Sequence, residues 1–509
     1  MKSCSFDTNA SALILCDYGE SSFTDDMEIR FSRITRVKIF TPKGYTYGTV
    51  EIPYYTGSRS ERVAEIEGMT YYLNENGGVE KKELASKDIF KEKLSDNYAN
   101  YKFTLPGLRP GCVIEFKYEI TSKSWFKLKD WDFQHKEPTR WSEYRAIVPQ
   151  SFAYVSITNG YDPFVFKEIE DLNKSYTGEA LAYFGSATVP CKSMHYAMEN
   201  VPALRVEPFI TTIDDYRDKV EFQLSAYANR YDGVRHVLNT WEKLVEELLK
   251  DKQFGEKIDN TKAMRKIVDA VTTGLTSPEE KMNAVASWIA KSIARTGGNR
   301  AYADQDINDV LDAKQGTNAE ITFLLISMLR YAGIACDPVL VSTRDNGHVQ
   351  VLYPMIDQFN YILTRATIGK QTYFLDPTDP LRPSDLLPTK VLGVSGIVVK
   401  EIPKGGSVEW TTVTSDKKLI EITAGLVTIN EDGGIQGQLI DSFKQYGAFI
   451  ERHELATTKD IDIAKGCMGT EKITSRLNQS QLPERTASIS HSPSLQKYHR
   501  LPMRRLPVR

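Results

Sequence analysis

Few residues in this 509-residue chain combine the type and the spacing needed for chemistry. The six cysteines, Cys4, Cys16, Cys112, Cys191, Cys336 and Cys467, are scattered, and no two form a Cys-x-x-Cys pair. With the seven histidines they build no zinc-ligand spacing, so no metal site is expected. Disulfides and the redox compartment stay open. Cys336 follows a helical stripe and reads as a small apolar residue where a strand begins. His348, in Asp345-Asn346-Gly347-His348, reads as a solvated loop residue. No glycine-rich loop leads into a helix as a phosphate cradle requires, and Lys404-Gly405-Gly406 reads as a turn between β segments. No nucleotide cofactor is expected. What remains is an ordered set of short motifs: Gly316-Thr317-Asn318, Arg330-Tyr331-Ala332-Gly333-Ile334, Phe359-Asn360-Tyr361 and Leu375-Asp376-Pro377-Thr378. The first opens a helix, where backbone N–H groups and the helix dipole favour negative charge. Yet the amide of Asn318 cannot ionise to a nucleophile near neutral pH, and a tyrosine such as Tyr361, with a reference pKa of about 10, is a poor general base. Asp376 has a structural alternative, an Asx turn before Pro377.

The elements that must position these residues are legible in outline. From about residue 20 to 200 the pattern is strand-like. Val37 and Ile39 alternate with Arg36 and Lys38, Asn76-Gly77-Gly78 marks a hairpin, and Pro106-Gly107 and Pro110-Gly111 lead into a strand over Cys112–Phe116. No long helical periodicity interrupts it, which predicts a β-sandwich. After about residue 235 helices take over. Trp241, Leu244, Val245, Leu248 and Leu249 form one helical face. Ser277-Pro278-Glu279-Glu280 opens a second helix with a capping box and the stripe Met282, Val285, Ile289 and Ile293. Thr317 to Glu320 opens a third, which buries Ile321, Leu324, Leu325, Met328 and Leu329 and stops at Gly333. Strands are expected near 339–341, 361–364 and 373–375. Beyond about residue 405 the pattern is β again, with Glu431-Asp432-Gly433-Gly434 as a hairpin turn. From Ser475 to Arg509 no apolar periodicity survives, and a disordered basic tail is expected.

Composition excludes little. At this length about three domains are expected. A formal net charge of −3 and a pI near 6.3 give no overall pull toward nucleic acid or an anionic membrane surface. No stretch approaches the roughly 20 apolar residues of a transmembrane helix. The apolar run from Ala12 to Cys16 is too short for a signal-peptide core.

The order of the four motifs over about residues 270–385 resembles the core of the transglutaminase-like superfamily, a papain-type fold. In that superfamily a cysteine sits at a helix N-terminus, a histidine begins a following strand, and an aspartate ends the next. The resemblance implies that these three positions fall on Asn318, Tyr361 and Asp376, so the triad is degenerate and only its third member survives. In a complete site the helix dipole and an imidazolium depress the thiol pKa, the thiolate attacks an amide carbonyl, and the aspartate orients the histidine. Upstream, Trp131-Asp132-Phe133-Gln134, Pro138, Ser142-Glu143-Tyr144, Glu199 to Leu204 and Glu207-Pro208 resemble the domain of unknown function that precedes transglutaminase-like domains in bacterial exported proteins. That likeness covers about residues 10–220. The bare physical role of its aromatic residues is packing between sheets.

The expected architecture is therefore α+β and multi-domain. It comprises an N-terminal β-sandwich (10–220), a papain-like transglutaminase core (235–400), a truncated β domain (405–470) and a basic tail (475–509). Family members carry a signal peptide and a longer C-terminal β domain, and a truncated or frame-shifted gene product would account for both departures. Three function classes compete. The first is a non-catalytic exported protein, periplasmic or secreted, whose degenerate cleft holds a peptide, glycan or protein strand. The second is a cysteine-independent amide-processing enzyme, and the third a purely structural module. The loss of nucleophile and base favours the first over the second.

Overall fold

The computed structural model describes residues 1–457 and 494–505, apart from 58–59, 95–97, 127, 209, 230–232, 238–239, 259–260, 430 and 432–433. The chain divides into two compact units, Met1–Asn239 and Thr240–Arg509.

The first unit is built from three sheets. Eight strands form the largest, in the order Phe166–Ser175, Thr188–Val201, Thr139–Pro149, Ala12–Phe23, Ile29–Ile39, Val113–Ser122, Glu61–Leu73 and Val79–Glu83. Every neighbouring pair is antiparallel except Ala12–Phe23 with Thr139–Pro149, which run parallel. A second sheet joins Phe152–Asn159, Lys219–Asn229 and Gly233–His236, with Trp131–Asp132 paired to the middle strand. A third joins Thr49–Tyr55, Tyr98–Thr104 and Ile89–Lys93. Alternation does the sorting. Ser142, Tyr144, Ala146 and Val148 turn inward along one strand, and Val37 and Ile39 along another. The inward faces of all three sheets share one core, which includes Ile14, Ile52, Phe103, Ile114, Tyr144, Phe152, Tyr196 and Phe222. The expected end at residue 220 falls inside Lys219–Asn229. That strand pairs with Phe152–Asn159 and so carries the unit on to residue 239.

Trp131 shows how tightly this core is made. Its ring lies 5.5 Å from that of Tyr144, nearly parallel, and its Nε1 donates to Ser142 Oγ at 3.0 Å. The Arg33 guanidinium sits 4.8 Å from the ring centroid. The ring occupies the space above Gly19, where an added Cβ would meet it at 2.3 Å.

In the second unit the helix Asn318–Tyr331 is the axis. It is apolar all round, with every side chain from Asn318 to Leu329 buried, the signature of a helix enclosed by other elements. Strands Ala335–Val341 and Tyr361–Ile368 pack on it, as do helices Lys262–Thr272, Pro278–Ser292 and Ile307–Ala313. The strands belong to an antiparallel sheet ordered Gln371–Leu375, Tyr361–Ile368, Ala335–Val341, Ser395–Val398 and Glu409–Thr412. Two helices expected from their stripes form at Trp241–Lys250 and Pro278–Ser292, the second with a complete Ser277–Glu280 capping box.

The last sheet strand lies beyond the expected domain end at residue 400. Trp410 explains why: its ring packs edge-on against Trp241 at 5.0 Å, which ties Glu409–Thr412 to the core. Leu419–Ile429 and Gly434–Gln445, on either side of the turn expected at 431–434, pair antiparallel, and positions 432–433 of that turn lie outside the described residues. Helix Tyr446–Thr457 follows, and Tyr446 donates its hydroxyl to Leu387 O at 2.7 Å. Of the tail expected to be disordered, Ser494–Arg505 is instead a strand antiparallel to Gly434–Gln445. Main-chain pairing to a sheet edge needs no apolar periodicity, which is why the pattern did not reveal it. The rest of that tail, and Cys467, lie outside the described residues.

The packing at Gly19 yields a direct test. Gly19→Ala must displace the Trp131 ring from a filled core, and is expected to destabilise the first unit by about 1–3 kcal/mol. A fall in the urea midpoint of that unit checks this; an unchanged midpoint would mean that the ring has room to move.

Candidate functional site

The N-terminus of the axial helix is closed by the chain itself. Thr317 Oγ1 accepts from Glu320 N at 3.4 Å, and Glu320 Oε2 accepts from Thr317 N at 2.8 Å, a full capping box. Glu320 Oε1 also accepts from the backbone N–H groups of Asp304 and Gln305, at 3.2 and 3.0 Å. Asn318 completes the closure. Its Oδ1 accepts from Arg300 N at 2.7 Å and its Nδ2 donates to Arg300 O at 2.8 Å. The side chain is fully buried, and both ends of its amide are occupied by the main chain of one residue. An amide can satisfy a donor and an acceptor at once, which a thiol cannot do with comparable strength.

Tyr361 opens its strand opposite Val341 and is fully buried. Its hydroxyl donates to Asp376 Oδ2 at 2.7 Å. The other carboxylate oxygen accepts from Thr378 N at 3.0 Å, Thr378 Oγ1 at 2.5 Å and Arg382 Nη2 at 3.0 Å. The Thr378 N contact is the Asx turn that the Asp-Pro-Thr motif allows. Arg382, itself buried, donates through Nη1 to Leu386 O at 2.7 Å. Burial works to raise the Asp376 carboxyl, but Arg382, Thr378 and Tyr361 outweigh it and hold the group below the usual carboxylate range. Burial, reinforced by the Asp376 charge, pushes the Tyr361 phenol far above its ordinary value. Tyr361 is thus a hydrogen-bond donor here and not a base.

Two cations flank the tyrosine ring. Lys390 Nζ lies 4.4 Å from its centroid and Arg295 Cζ 5.9 Å. Both donate to Asn299 Oδ1, at 2.6 Å from Lys390 and 2.9 Å from Arg295. Burial, then the neighbouring Arg295 charge, brings the Lys390 ammonium down to about 8. The segment Arg295–Arg300 therefore links the two halves of the site: Arg300 engages Asn318, and Asn299 engages the cations over Tyr361.

Of the positions expected to act together, Tyr361 and Asp376 are in direct contact, whereas Asn318 is held by Arg300. Cys336 is buried, with Sγ 3.6 Å from Ile326 O, and burial pushes its thiol up to about 12. His348 is exposed in the loop after Ala335–Val341. The sequence reading missed Arg382, Lys390, Arg295 and Arg300. Arg382 follows the Asp-Pro-Thr motif by only a few residues, but nothing in its spacing marks it as buried. The other described cysteines, Cys4, Cys16, Cys112 and Cys191, are free thiols, as is Cys336.

Residues 265–367, which include Asn318 and Tyr361, match the family model of the transglutaminase-like superfamily. Residues 28–180 match a Domain of Unknown Function (DUF3857). No curated protein matches the chain. Among solved structures, a candidate protease from Parabacteroides distasonis is similar at 15% identity with a TM-score of 0.50, over 84% of this chain and 90% of that one. A candidate cysteine protease from Cytophaga hutchinsonii matches at 8% identity and TM-score 0.19, over 65% and 75% of the two chains. The periplasmic domain of TgpA from Pseudomonas aeruginosa matches at 11% and 0.19, over 62% and 88%. The first of these is a likeness of fold. The chain therefore carries a transglutaminase-like core, with a DUF3857 domain before it.

Proposed function

We propose that this chain is a non-catalytic member of the transglutaminase-like group, an exported binding or scaffold protein in which the old catalytic framework has become structural. One observation carries the reading: both polar ends of the Asn318 amide are bonded to Arg300, at the point where a nucleophile would have to meet a substrate carbonyl. The general-base position supports it, since Tyr361 spends its proton on a carboxylate already held by Arg382. The exported, periplasmic or secreted setting rests on the resemblance of the N-terminal domain to those of bacterial exported proteins. Among the described residues no helix is long and apolar enough to cross a membrane. The partner expected is a peptide, glycan or protein segment, with no part for nucleic acid.

The catalytic alternative is open to a direct assay. The purified chain, given glutamine-containing peptides and a fluorescent amine, is expected to release no ammonia and incorporate no label above the blank. Turnover that disappears in Asn318→Ala would establish an enzyme and defeat the proposal.

A structural role for Asp376 makes a separate prediction. Asp376→Asn strands the Arg382 charge in the interior and is expected to cost about 3–5 kcal/mol at neutral pH. Because the folded-state pKa is depressed, the carboxylate contributes stability above its unfolded value of about 4, and that contribution fades as pH falls below it. The protection factors of Tyr361–Ile368, which remove the pH dependence of intrinsic amide exchange, should therefore fall in acid in the parent chain. The variant should exchange fast already at neutral pH and respond less to acid. Exchange at neutral pH unchanged by the substitution would show that Asp376 does not hold the strand.

A further inference from the structure

The loop that closes over Asn318 also brings two cations together with no anion between them. Arg295 lies just after the helix Pro278–Ser292, and its backbone pairs with Gly316. Lys390 sits in the short turn Thr389–Val391, and its carbonyl accepts from Arg344 N at 2.7 Å. Both main chains are therefore fixed. Their side chains converge on one oxygen: Asn299 Oδ1 accepts from Lys390 Nζ at 2.6 Å and from Arg295 Nη2 at 2.9 Å. The two charges are held a few ångströms apart by an uncharged amide. Among the described residues no carboxylate forms an ion pair with either. Asp376 and Asp345 act on Lys390 only from beyond ion-pair distance. Asp376 is already bound to Arg382, whose charge also bears on Lys390 and opposes theirs.

Two like charges at such a distance relax when one of them loses its proton. A guanidinium does not give its proton up, so the amine must. Burial works in the same direction, and together they bring the Lys390 ammonium down to about 8. At about pH 7.5 that leaves roughly one amine in four neutral, against about one in a thousand for an ordinary lysine. A neutral amine beside a fixed cation is the arrangement that turns lysine into a nucleophile. Arg295 is exposed and Lys390 half-buried, so an electrophile reaches the pair from solvent. A guanidinium has five N–H donors, and the Arg295 bond to Asn299 leaves others to receive an anion.

We propose that Lys390 is an acylation site supplied by acyl phosphates, with Arg295 holding the donor's phosphate beside the amine. Neutral Lys390 Nζ attacks the carbonyl carbon and a C–N bond forms. The C–O bond to phosphate breaks, and phosphate leaves with the electron pair and the proton that Nζ sheds. The amide product keeps one N–H to donate to Asn299 and carries no charge beside Arg295. Modification therefore removes the repulsion that the unmodified chain contains. The reaction is stoichiometric and its donor is unrelated to glutamine peptides, so it neither rests on nor tests the absence of turnover proposed above.

The test incubates the full chain with acetyl phosphate and follows each lysine by peptide mass spectrometry, so that the exposed lysines serve as internal standards. Near neutral pH Lys390 is expected to acetylate about tenfold faster than they do, because its larger neutral fraction outweighs its lower basicity. Its rate should level off above about pH 8 while theirs keep climbing. The preference should shrink with the N-hydroxysuccinimide ester of acetate, a neutral donor that offers Arg295 no phosphate. Arg295→Gln, an exposed change, is expected to slow acetylation of Lys390 by acetyl phosphate about fivefold. A Lys390 rate no higher than that of the exposed lysines, a rate that climbs with theirs past pH 8, an equal preference with the neutral ester, or a rate unaltered by Arg295→Gln would each overturn the proposal.

Discussion

Position 318 is where the second unit is pinned. A helix N-terminus leaves N–H groups without partners, and in a buried setting they must be satisfied or solvated. Here Thr317 and Glu320 cap the helix, while Glu320 and Asn318 reach outward and bind the main chain of the preceding loop. That loop carries Asn299, which in turn holds Lys390 and Arg295 over the Tyr361 ring. One end of one helix thus organises a loop, a strand and a cation pair. The arrangement that could present a reactive atom to a substrate has been converted into a set of satisfied internal bonds. Polar groups at such a depth are costly when unmade, so each partner constrains the next.

The first unit solves a different problem. Its sheets are filled by aromatic rings, and the Arg33 guanidinium lies over the Trp131 face, close to the fully buried Asp17. The ring needs Gly19 beneath it, because no side chain fits there. A polar network and an aromatic stack therefore share Arg33, which lies over the Trp131 ring and binds Asp17.

How much of this was legible follows from what each signal depends on. The axial helix declared itself, since a Thr-x-x-Glu box before a long apolar run depends only on neighbours in sequence. The strand that opens at Tyr361 and the one that ends just before Asp376 were readable for the same reason. The helix Lys262–Thr272 was not singled out, although Thr261 caps it and Met264 and Val268 are buried along one face. Arg382 and Lys390 were illegible. Their roles are set by burial beside Asp376 and Tyr361, and charged residues in a Pro-rich loop are ordinarily solvated. The Arg300 contact was beyond reach as well, because a main-chain group leaves no mark on residue type. The strand Glu409–Thr412 joined the core through one tryptophan pair, a tertiary fact that no local window contains.

The parallel pairing of Ala12–Phe23 with Thr139–Pro149 governs how this chain can be made. Ala12–Phe23 is an interior strand of the finished sheet, and one of its two neighbours is encoded more than a hundred residues later. Until that neighbour arrives, the nascent sheet presents a long unpaired edge. Closing so distant a contact costs loop entropy before any bond rewards it, which places assembly of this sheet among the slow steps of synthesis. The chain is most open to aggregation in that interval, and a holding chaperone would act to greatest effect there.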